Sequence, residues 1–291
     1  MSKSLPILDR KPTSAATTVF CSERIDGPGG ASGLHLYVDG NQKITRSNGD
    51  FSAPRPNAFS LVQITDCPGS TPTCRAGCYV HGLEQHAKST HDLYAHNSQT
   101  IRTILADDAL ASEWVMIFAH WISQNVTSFR WHVSGDVIDD AYAEWIADVC
   151  RESPGVEHWI YTRSFAHADP LVRVSTVFGG NLALNLSCDV DNYEVAVAFR
   201  DRHVRAFGDP VDGQMTFRFL RLCYYTRDGA IPDRLPYDSV IFPDYGLRSS
   251  TESGPAWFAG LEGREKKMVC QIDYLGKSEQ RRCGPCQRCL T

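Results

Sequence analysis

The chain has 291 residues, of which 42% are apolar, and its formal net charge is −5. This apolar content allows a substantial core and excludes global disorder, and the charge excludes a chain-wide basic field for nucleic acid. The length is normal for one α/β barrel. No apolar run is long enough to span a membrane, and residues 1–20 lack the apolar core of a signal peptide, so we expect a location in the reducing cytoplasm.

The predicted elements alternate between strands and helices after an irregular N-terminal extension (1–57) that has one hairpin around Leu34–Ile44. Apolar runs predict strands at Ala58–Thr65, Phe129–Ser134, Val156–Thr162, Asn181–Ser187, Glu194–Phe199, Phe217–Tyr225 and Tyr237–Phe242. Helical periodicity covers 82–105, 108–124, a segment that starts at Asp139 and Asp140, and 168–177.

This alternation with short connections predicts an α/β fold with parallel strands and helical crossovers. Two architectures fit: a partial or complete (β/α) barrel of the TIM type, or a doubly wound sheet. We expect the barrel unit to cover residues 58–260. The polar, basic segment 261–291 predicts a small Cys-rich appendage that is held by its metal rather than by a core.

A first cysteine group follows the strand at Ala58–Thr65 directly. Cys67, Cys74 and Cys78 lie within twelve residues, in a loop with two prolines and two glycines. In the reducing cytoplasm such a group binds metal more often than it forms disulfides. Three thiolates suit an iron–sulfur cluster with one open coordination position, and the alternative is a zinc site that borrows a fourth ligand.

A second cysteine group lies in the C-terminal segment and consists of Cys270, Cys283, Cys286 and Cys289. The C-x2-C-x2-C core is typical of ferredoxin-type clusters, and four thiolates equally suit a closed zinc site. The two groups can also share one centre. The isolated Cys21, Cys150, Cys188 and Cys223 are predicted to be buried as small hydrophobes, with Cys188 the exception to watch because it ends a strand on the presumed active face.

Polar residues stand at the carboxyl ends of the predicted strands, where barrel enzymes place their active sites. They are Ser134, Gly135, Asp136, Thr162, Arg163, Asn185 and Ser187. Ordinary turn chemistry is the alternative explanation for several of them.

A strand, a three-cysteine loop that ends in Cys78-Tyr79, and a Ser-Gly-Asp turn after the second strand resemble the radical S-adenosylmethionine enzymes. The order Cys-Pro-Gly…Cys…Cys-Tyr, the later Asn97-Ser98-Gln99 and the terminal Cys…Cys-x-x-Cys-x-x-Cys resemble, more closely, the bacteriophage family called gene product 88. The radical S-adenosylmethionine enzymes have the cysteine spacing C-x3-C-x2-C and a Gly-Gly-Glu turn. This chain has the spacing C-x6-C-x3-C and Ser-Gly-Asp instead.

The resemblance implies a [4Fe–4S] cluster on Cys67, Cys74 and Cys78, and S-adenosylmethionine as a second cofactor. Gly135 and Asp136 would contact its methionyl amino group, Asn185 and Ser187 its ribose or carboxylate, and Tyr79, Ser134, Thr162 and Arg163 would complete the cofactor site. The four C-terminal cysteines would hold an auxiliary cluster, an electron donor would be a partner, and the location would be the host cytoplasm.

Two other functions remain open from the sequence. Basic residues around the C-terminal cysteines favour a nucleic-acid-binding protein with a structural or redox-sensing metal. Asp136 or Asp189 could instead serve a non-radical enzyme acting on a nucleobase. A small-molecule or nucleic-acid substrate is the expectation for an enzyme, and nothing in the sequence specifies a base, a peptide or a small metabolite.

Overall fold

The N-terminal strands form a hairpin at one edge of the sheet. The computed structural model describes residues 21–30, 33–40, 55–78, 80, 88–176, 180–206, 220–236, 238–244 and 247–275. Strands β1 (Cys21–Asp26) and β2 (His35–Gly40) pair antiparallel, and β2 pairs antiparallel with β3 (Ala58–Phe59). The predicted hairpin around Leu34–Ile44 is therefore displaced, because Gly29 and Gly30 take positive φ angles and make the turn earlier.

The remaining strands continue the sheet in parallel. They are β4 (Ser128–Trp131), β5 (Glu157–Thr162), β6 (Leu182–Cys188), β7 (Leu220–Thr226) and β8 (Val240–Pro243). Strand order is sequential from β1 to β8, and each strand from β3 onward is parallel to the next. The described residues thus form a mixed α/β fold built on an eight-stranded sheet.

The sheet is open within the described ranges. Its edges are β1 and β8, with one further parallel bridge between Ile241 and Val269 outside β8. The prediction of a complete barrel is wrong, because the β1–β2 hairpin pairs with the edge of β3 where a closing strand would have to bind.

Helices connect the parallel strands. They are α1 (Pro72–Ala76), α2 (Lys88–Leu105) and α3 (Asp108–Asn125) between β3 and β4, then α4 (Asp140–Glu152), α5 (Asp169–Thr176) and α6 (Tyr193–Ala206), and finally α7 (Gly254–Gly260), α8 (Gly263–Met268) and α9 (Gln271–Leu275) after β8. A short 3₁₀ helix, Phe165–His167, precedes α5. Asp107 and Asp139 cap α3 and α4 by accepting from the N–H groups of Leu110 and Tyr142. No helix of the described residues is long and apolar enough to cross a membrane.

The main core lies between these crossover helices and one face of the sheet. Phe118 of α3 and Trp145 of α4 pack on Trp131 of β4, Phe118 also meets Phe129, and Trp114 of α3 lies in the same core. Burying each such side chain stabilises the fold by about 1.5–3 kcal/mol. Right-handed crossovers that always step in one direction place their helices on the same side of the sheet. Among the described residues, the opposite face of the sheet therefore carries no crossover helix.

We call that opposite face the inner face. Two small apolar clusters lie on it, separate from the main core. By alternation and register its residues are Ala58, Arg130, Trp159, Tyr161, Ala183, Asn185, Ser187, Arg221, Cys223, Tyr225, Val240 and Phe242.

Candidate functional site

The cysteine loop, residues 61–78, begins with a tight turn directly after β3. Asp66, which precedes the first cysteine, is buried and accepts from the N–H of Val62 at 3.1 Å, from Arg102 Nη2 at 2.6 Å and from the Ser98 hydroxyl. Asn97 joins β2 to the end of β3, because its amide donates to the carbonyl oxygens of Tyr37 and Ser60. The Asn-Ser pair of α2 therefore holds the start of the loop.

Helix α1 is fixed inside the loop by two aspartates that follow β6. The Thr71 hydroxyl caps α1 by accepting from the N–H of Cys74 at 3.0 Å, and it donates to Asp189 Oδ2 at 2.6 Å. Asp191 Oδ2 accepts from the N–H of Thr73 at 2.8 Å. These bonds tie the first turn of α1, and with it Cys74, to the carboxyl end of β6.

Close backbone contacts show that the cysteine loop lies across the carboxyl ends of several strands. A Cβ atom added at Gly69 would lie 2.1 Å from the carbonyl oxygen of Arg163 after β5, and one at Gly77 would lie 2.7 Å from the Tyr225 hydroxyl of β7. Gly135 has φ +79°, and a Cβ atom added there would come within 2.6 Å of Leu61. The loop therefore covers the strand ends where the sequence predicts site residues.

The three thiols of the loop lie near one another and are partly buried. Burial, with smaller contributions from the neighbouring Asp136, Cys74 and Cys78, raises the pKa of Cys67 to about 12. Burial also raises the pKa of Cys74, while the Arg163 guanidinium opposes this shift. The Cys78 thiol donates to Gln63 Oε1 at 3.3 Å. In the metal-free protein the thiols of Cys67 and Cys74 are therefore protonated at neutral pH.

The Ser134-Gly135-Asp136 turn faces this loop. Ser134 accepts from the N–H of Leu61 through its carbonyl, and the N–H of Asp136 donates to the carbonyl of Asp66 at 2.8 Å. The Asp136 carboxylate accepts from its neighbour Val137 and from the N–H of Arg163 at 2.8 Å. Burial raises the pKa of Asp136 above its ordinary value, and these bonds and one from Thr162 oppose the rise. Asp136 thus joins the ends of β4 and β5 beneath Cys67.

Arg163 forms a buried ion pair at the centre of the arrangement. Its Nη1 lies 2.5 Å from Asp189 Oδ2, and the two side chains are 10% and 0% exposed. Because Asp189 also holds Thr71, one carboxylate connects the guanidinium to the cysteine loop. Sequence reasoning missed Asp66 and Arg102, although the position of Asp66 directly before Cys67 was a usable signal.

Asn185 and Ser187 lie on the inner face. Asn185 is buried, and its amide donates to the carbonyl of Ile160 at 3.2 Å across to β5. Its Oδ1 accepts from the Cys223 thiol at 3.6 Å. Thr162, the last residue of β5, is the register partner of Leu186 in β6. Asn185 precedes Leu186, so it lies below the carboxyl ends of the strands and not among them. Tyr79 lies outside the described residues.

The second cysteine group is described only at Cys270. Its N–H donates to the carbonyl of Ile241 at 2.8 Å, and its side chain is buried beside Cys223 and Val240 on the inner face. Cys283, Cys286 and Cys289 lie outside the described residues. Cys150, Cys188 and Cys223 are buried as predicted, and Cys188 packs in the main core. The side chain of Cys21 lies outside the described part of the chain.

The basic residues of the C-terminal segment are described in part. In α8 the Arg264 guanidinium donates to the carbonyl of Leu235, and Lys266 Nζ donates to the carbonyl of Ala259 at 2.9 Å. These contacts give both side chains a role within the protein.

The described ranges contain no three Cys, His, Asp or Glu side chains placed to hold a single metal ion. In a cubane cluster each thiolate binds a different iron, so its ligands surround a volume and need not converge on one point. Two kinds of centre are therefore relevant to this loop: a single metal ion, on which all ligands converge, and a cluster, whose ligands are spread around it.

Comparison with known proteins identifies relatives by sequence. A family described as gene product 88 matches residues 35–291. The Gene 88 protein of Mycobacterium phage L5 is 30% identical over 175 residues, which are 59% of this chain and 69% of that protein. The Gene 88 protein of Mycobacterium phage D29 is 29% identical over 172 residues, or 56% of this chain and 65% of that protein. No solved structure matches. The likeness to radical S-adenosylmethionine enzymes is not supported by these matches and stays a prediction.

Proposed function

The chain belongs to the gene product 88 family, and from that premise we propose that it is an iron–sulfur protein of the radical S-adenosylmethionine type. Cys67, Cys74 and Cys78 hold a [4Fe–4S] cluster in this proposal. Its strongest support is that three partly buried thiols, close enough to shift one another's pKa, lie on one loop at the carboxyl end of a parallel sheet. Thiolate sulfur is the protein ligand of iron in such clusters.

The surroundings of the thiols fit a centre that carries its own positive charge. Burial and the nearby Asp136 disfavour thiolates in the empty site, so a cation must supply the compensating charge. The Arg163 guanidinium beside Cys74 adds to that compensation. The loop is already held by Asp66, Thr71 and Asp189, so its ligands are ordered before metal arrives.

When bound, the cluster would supply one-electron transfer and one iron that lacks a protein thiolate. The protein residues would exclude water from that iron and orient a small molecule toward it. Six parallel strands in sequential order, with all crossover helices on one side, are what a partial barrel requires. The inner face would then line the cofactor and substrate site, with Asn185 and Ser187 below the loop.

The cluster is tested by purifying the full chain without oxygen and measuring iron, acid-labile sulfide and the visible spectrum. We expect a broad visible absorption that bleaches on reduction, and loss of about one cluster's iron in Cys67→Ser, Cys74→Ser and Cys78→Ser. Cys150→Ala is the matched control, because this thiol is buried in the main core away from the loop. A wild-type protein that contains zinc and no sulfide would refute the cluster.

The S-adenosylmethionine step is tested separately on the cluster-loaded protein. With dithionite and S-adenosylmethionine we expect 5′-deoxyadenosine, which the Cys74→Ser variant should not form. An intact cluster without this product would remove the radical chemistry and leave the cluster.

A further inference from the structure

Two histidine rings stack where the N-terminal hairpin meets helix α2. The ring centroids of His35 in β2 and His96 in α2 lie 4.3 Å apart, and the ring planes are inclined by 25°. Tyr37 of β2 meets both rings edge to face, at 5.2 Å from His35 and 5.3 Å from His96. His96 Nε2 also lies 2.9 Å from the carbonyl oxygen of His35. The two histidines therefore form a direct contact between the hairpin and the helix.

The same turn of α2 holds both the hairpin and the cysteine loop. Asn97 accepts from the N–H of Tyr37 at 2.9 Å and donates to the carbonyl oxygen of Tyr37 at 2.8 Å. Ser98 donates to the buried carboxylate of Asp66 at the start of the loop. Three consecutive residues of α2 thus contact β2 or the loop, so a movement of His96 away from the hairpin acts on both.

The stacked pair accepts a first proton easily and a second one only against repulsion. Two unit charges 4.3 Å apart change an equilibrium constant about fivefold even at the dielectric constant of water, and more where water is partly excluded. Burial, followed by the charges of His96 and Arg24, lowers the pKa of His35. Separated rings would each titrate at about 6.5. Because the separated form binds more protons, acid favours it over the stacked form.

The charged groups of β1 give the pair little compensation. Asp26 is the register partner of His35, and its carboxylate lies 2.6 Å from Arg24 Nε in an ion pair. A second proton on the histidines therefore meets a carboxylate that a guanidinium already neutralises. Arg24 itself adds to the repulsion.

Two further acidic groups belong to the elements that carry the histidines. Asp92 lies one turn before His96 on α2, a spacing that favours a first proton on His96 but leaves the repulsion of a second. Asp39 lies further along β2, and burial raises its pKa to about 6. Protonation of Asp39 stabilises the folded state, which is opposite in sign to the effect of the histidines. A test must therefore separate the histidines from Asp39.

We propose that His35 and His96 form a pH-sensitive latch: when both rings are protonated, the hairpin separates from α2 and the hold of α2 on the cysteine loop weakens. The latch lies at the contact between β2 and α2 and uses no metal, so it stands apart from the proposed function. The start of the loop is then held more firmly at neutral pH than in mild acid.

The test is hydrogen exchange of the full-length protein, followed by mass spectrometry and corrected for the intrinsic exchange rate. The peptide that contains Tyr37 reports opening of the latch, because the Tyr37 N–H is bonded to Asn97. Between pH 7 and pH 5 we expect the opening constant of the wild type to rise about fivefold more than that of His35→Gln or His96→Gln. His120→Gln, on the exposed surface of α3, is the matched control and should behave as the wild type does. Asp39 is present in all four proteins, so its contribution cancels.

The cysteine loop gives a second readout. Exchange in residues 61–66 should depend on pH and on the two histidines as exchange at Tyr37 does. A wild-type rise within about twofold of that in both variants would overturn the latch. So would a nuclear magnetic resonance titration in which the His35 ring has the same pKa in the wild type and in His96→Gln.

The remaining outcome concerns the loop alone. If exchange at Tyr37 follows the expectation while residues 61–66 do not respond, the link from the latch to the loop is wrong. Either histidine variant suffices for the comparison if the other does not fold. Iron and sulfide content enter none of these measurements, so failure of the proposed cluster and failure of the latch are distinguished.

Discussion

Replacing Asp189 by asparagine should destabilise the protein more than any exposed charge change. The variant keeps the size of the side chain but leaves the Arg163 guanidinium, which is 10% exposed, without its carboxylate at 2.5 Å. Removing one partner of a buried pair costs about 3–5 kcal/mol. Exposed pairs such as that of Arg202 with Asp169 are worth about 0–1 kcal/mol, because solvent screens them.

The expected loss converts into a change in melting temperature. At about 2.1 cal/mol/K per residue, unfolding of 291 residues has an entropy of about 0.6 kcal/mol/K. Asp189→Asn should therefore lower Tm by about 5–8 °C in the metal-free protein. The Thr71 hydroxyl also loses a charged acceptor, so the cysteine loop should lose part of its order.

A double-mutant cycle isolates the pair from the rest of the carboxylate's contacts. Arg163→Met, Asp189→Asn and the double variant are compared by urea unfolding, and we expect a coupling free energy of about 2 kcal/mol. Arg202→Met with Asp169→Asn is the matched exposed pair, with coupling below about 0.5 kcal/mol. Equal coupling in the two cycles would refute the assignment of Asp189 and Arg163 as the anchor of the loop.

Three further predictions concern the same region and the sheet beside it. Gly135→Ala should cost about 2 kcal/mol or more in urea unfolding, because of φ +79° and the 2.6 Å approach to Leu61, whereas Gly155→Ala, with nothing within 4 Å, should change little. Thr71→Val should clearly lower the iron content per chain of the anaerobic protein while it lowers Tm only a little; a fall in Tm with full iron content would contradict this. Burial raises the pKa of Asp39 to about 6, so the folded state keeps a proton that the unfolded state releases, and stability falls as pH rises from about 4 to 6 by about 3 kcal/mol. Asp39→Asn should lack this loss. If the free energy of unfolding changed with pH equally in variant and wild type between pH 4 and 6, the reasoning would be incorrect.

Much of the sheet is predictable because its signals are local. The runs around β5 and β6 and the helical periodicity of α3 and α4 place those elements within one or two residues. Alternation of strands and helices also predicts parallel pairing, since parallel neighbours need a crossover. The order of strands follows once each crossover steps in the same direction.

Other elements depend on contacts that are distant in sequence. The run Glu194–Phe199 predicts a strand but lies in α6, where Ala196 and Phe199, three residues apart, face the core and Val195 is exposed. The apolar run Ala58–Thr65 predicts one strand, but β3 ends at Phe59 because Ile64 has φ +62° in the turn that Asp66 holds. The spacing of apolar residues in these two short runs does not by itself distinguish a strand from a helix or from a turn.

The candidate site also has one part that the sequence could predict and another that it could not. The proximity of Asp136 and Arg163 to the cysteines follows from parallel strands that end at one edge of the sheet, so sequence could predict it. The roles of Ser98 and Arg102 could not be predicted, because they act on Asp66 from a helix more than thirty residues away. In the sequence the Asn-Ser pair of α2 carries only a family resemblance, and the structure gives it a physical reason.

The anchors of the cysteine loop bear on how the proposed cluster would bind. Asp66 is held from α2, Thr71 from the end of β6, and Gly69 rests on the backbone after β5. None of these contacts uses a thiol, so the loop keeps its shape without metal, unlike small metal sites whose folding requires the ion. Binding energy that would otherwise order the loop is then available to ionise the buried Cys67 and Cys74, whose raised pKa values oppose thiolate formation. Binding of the proposed cluster should therefore release protons and strengthen as pH rises, because formation of the thiolates and not the loop conformation would limit it.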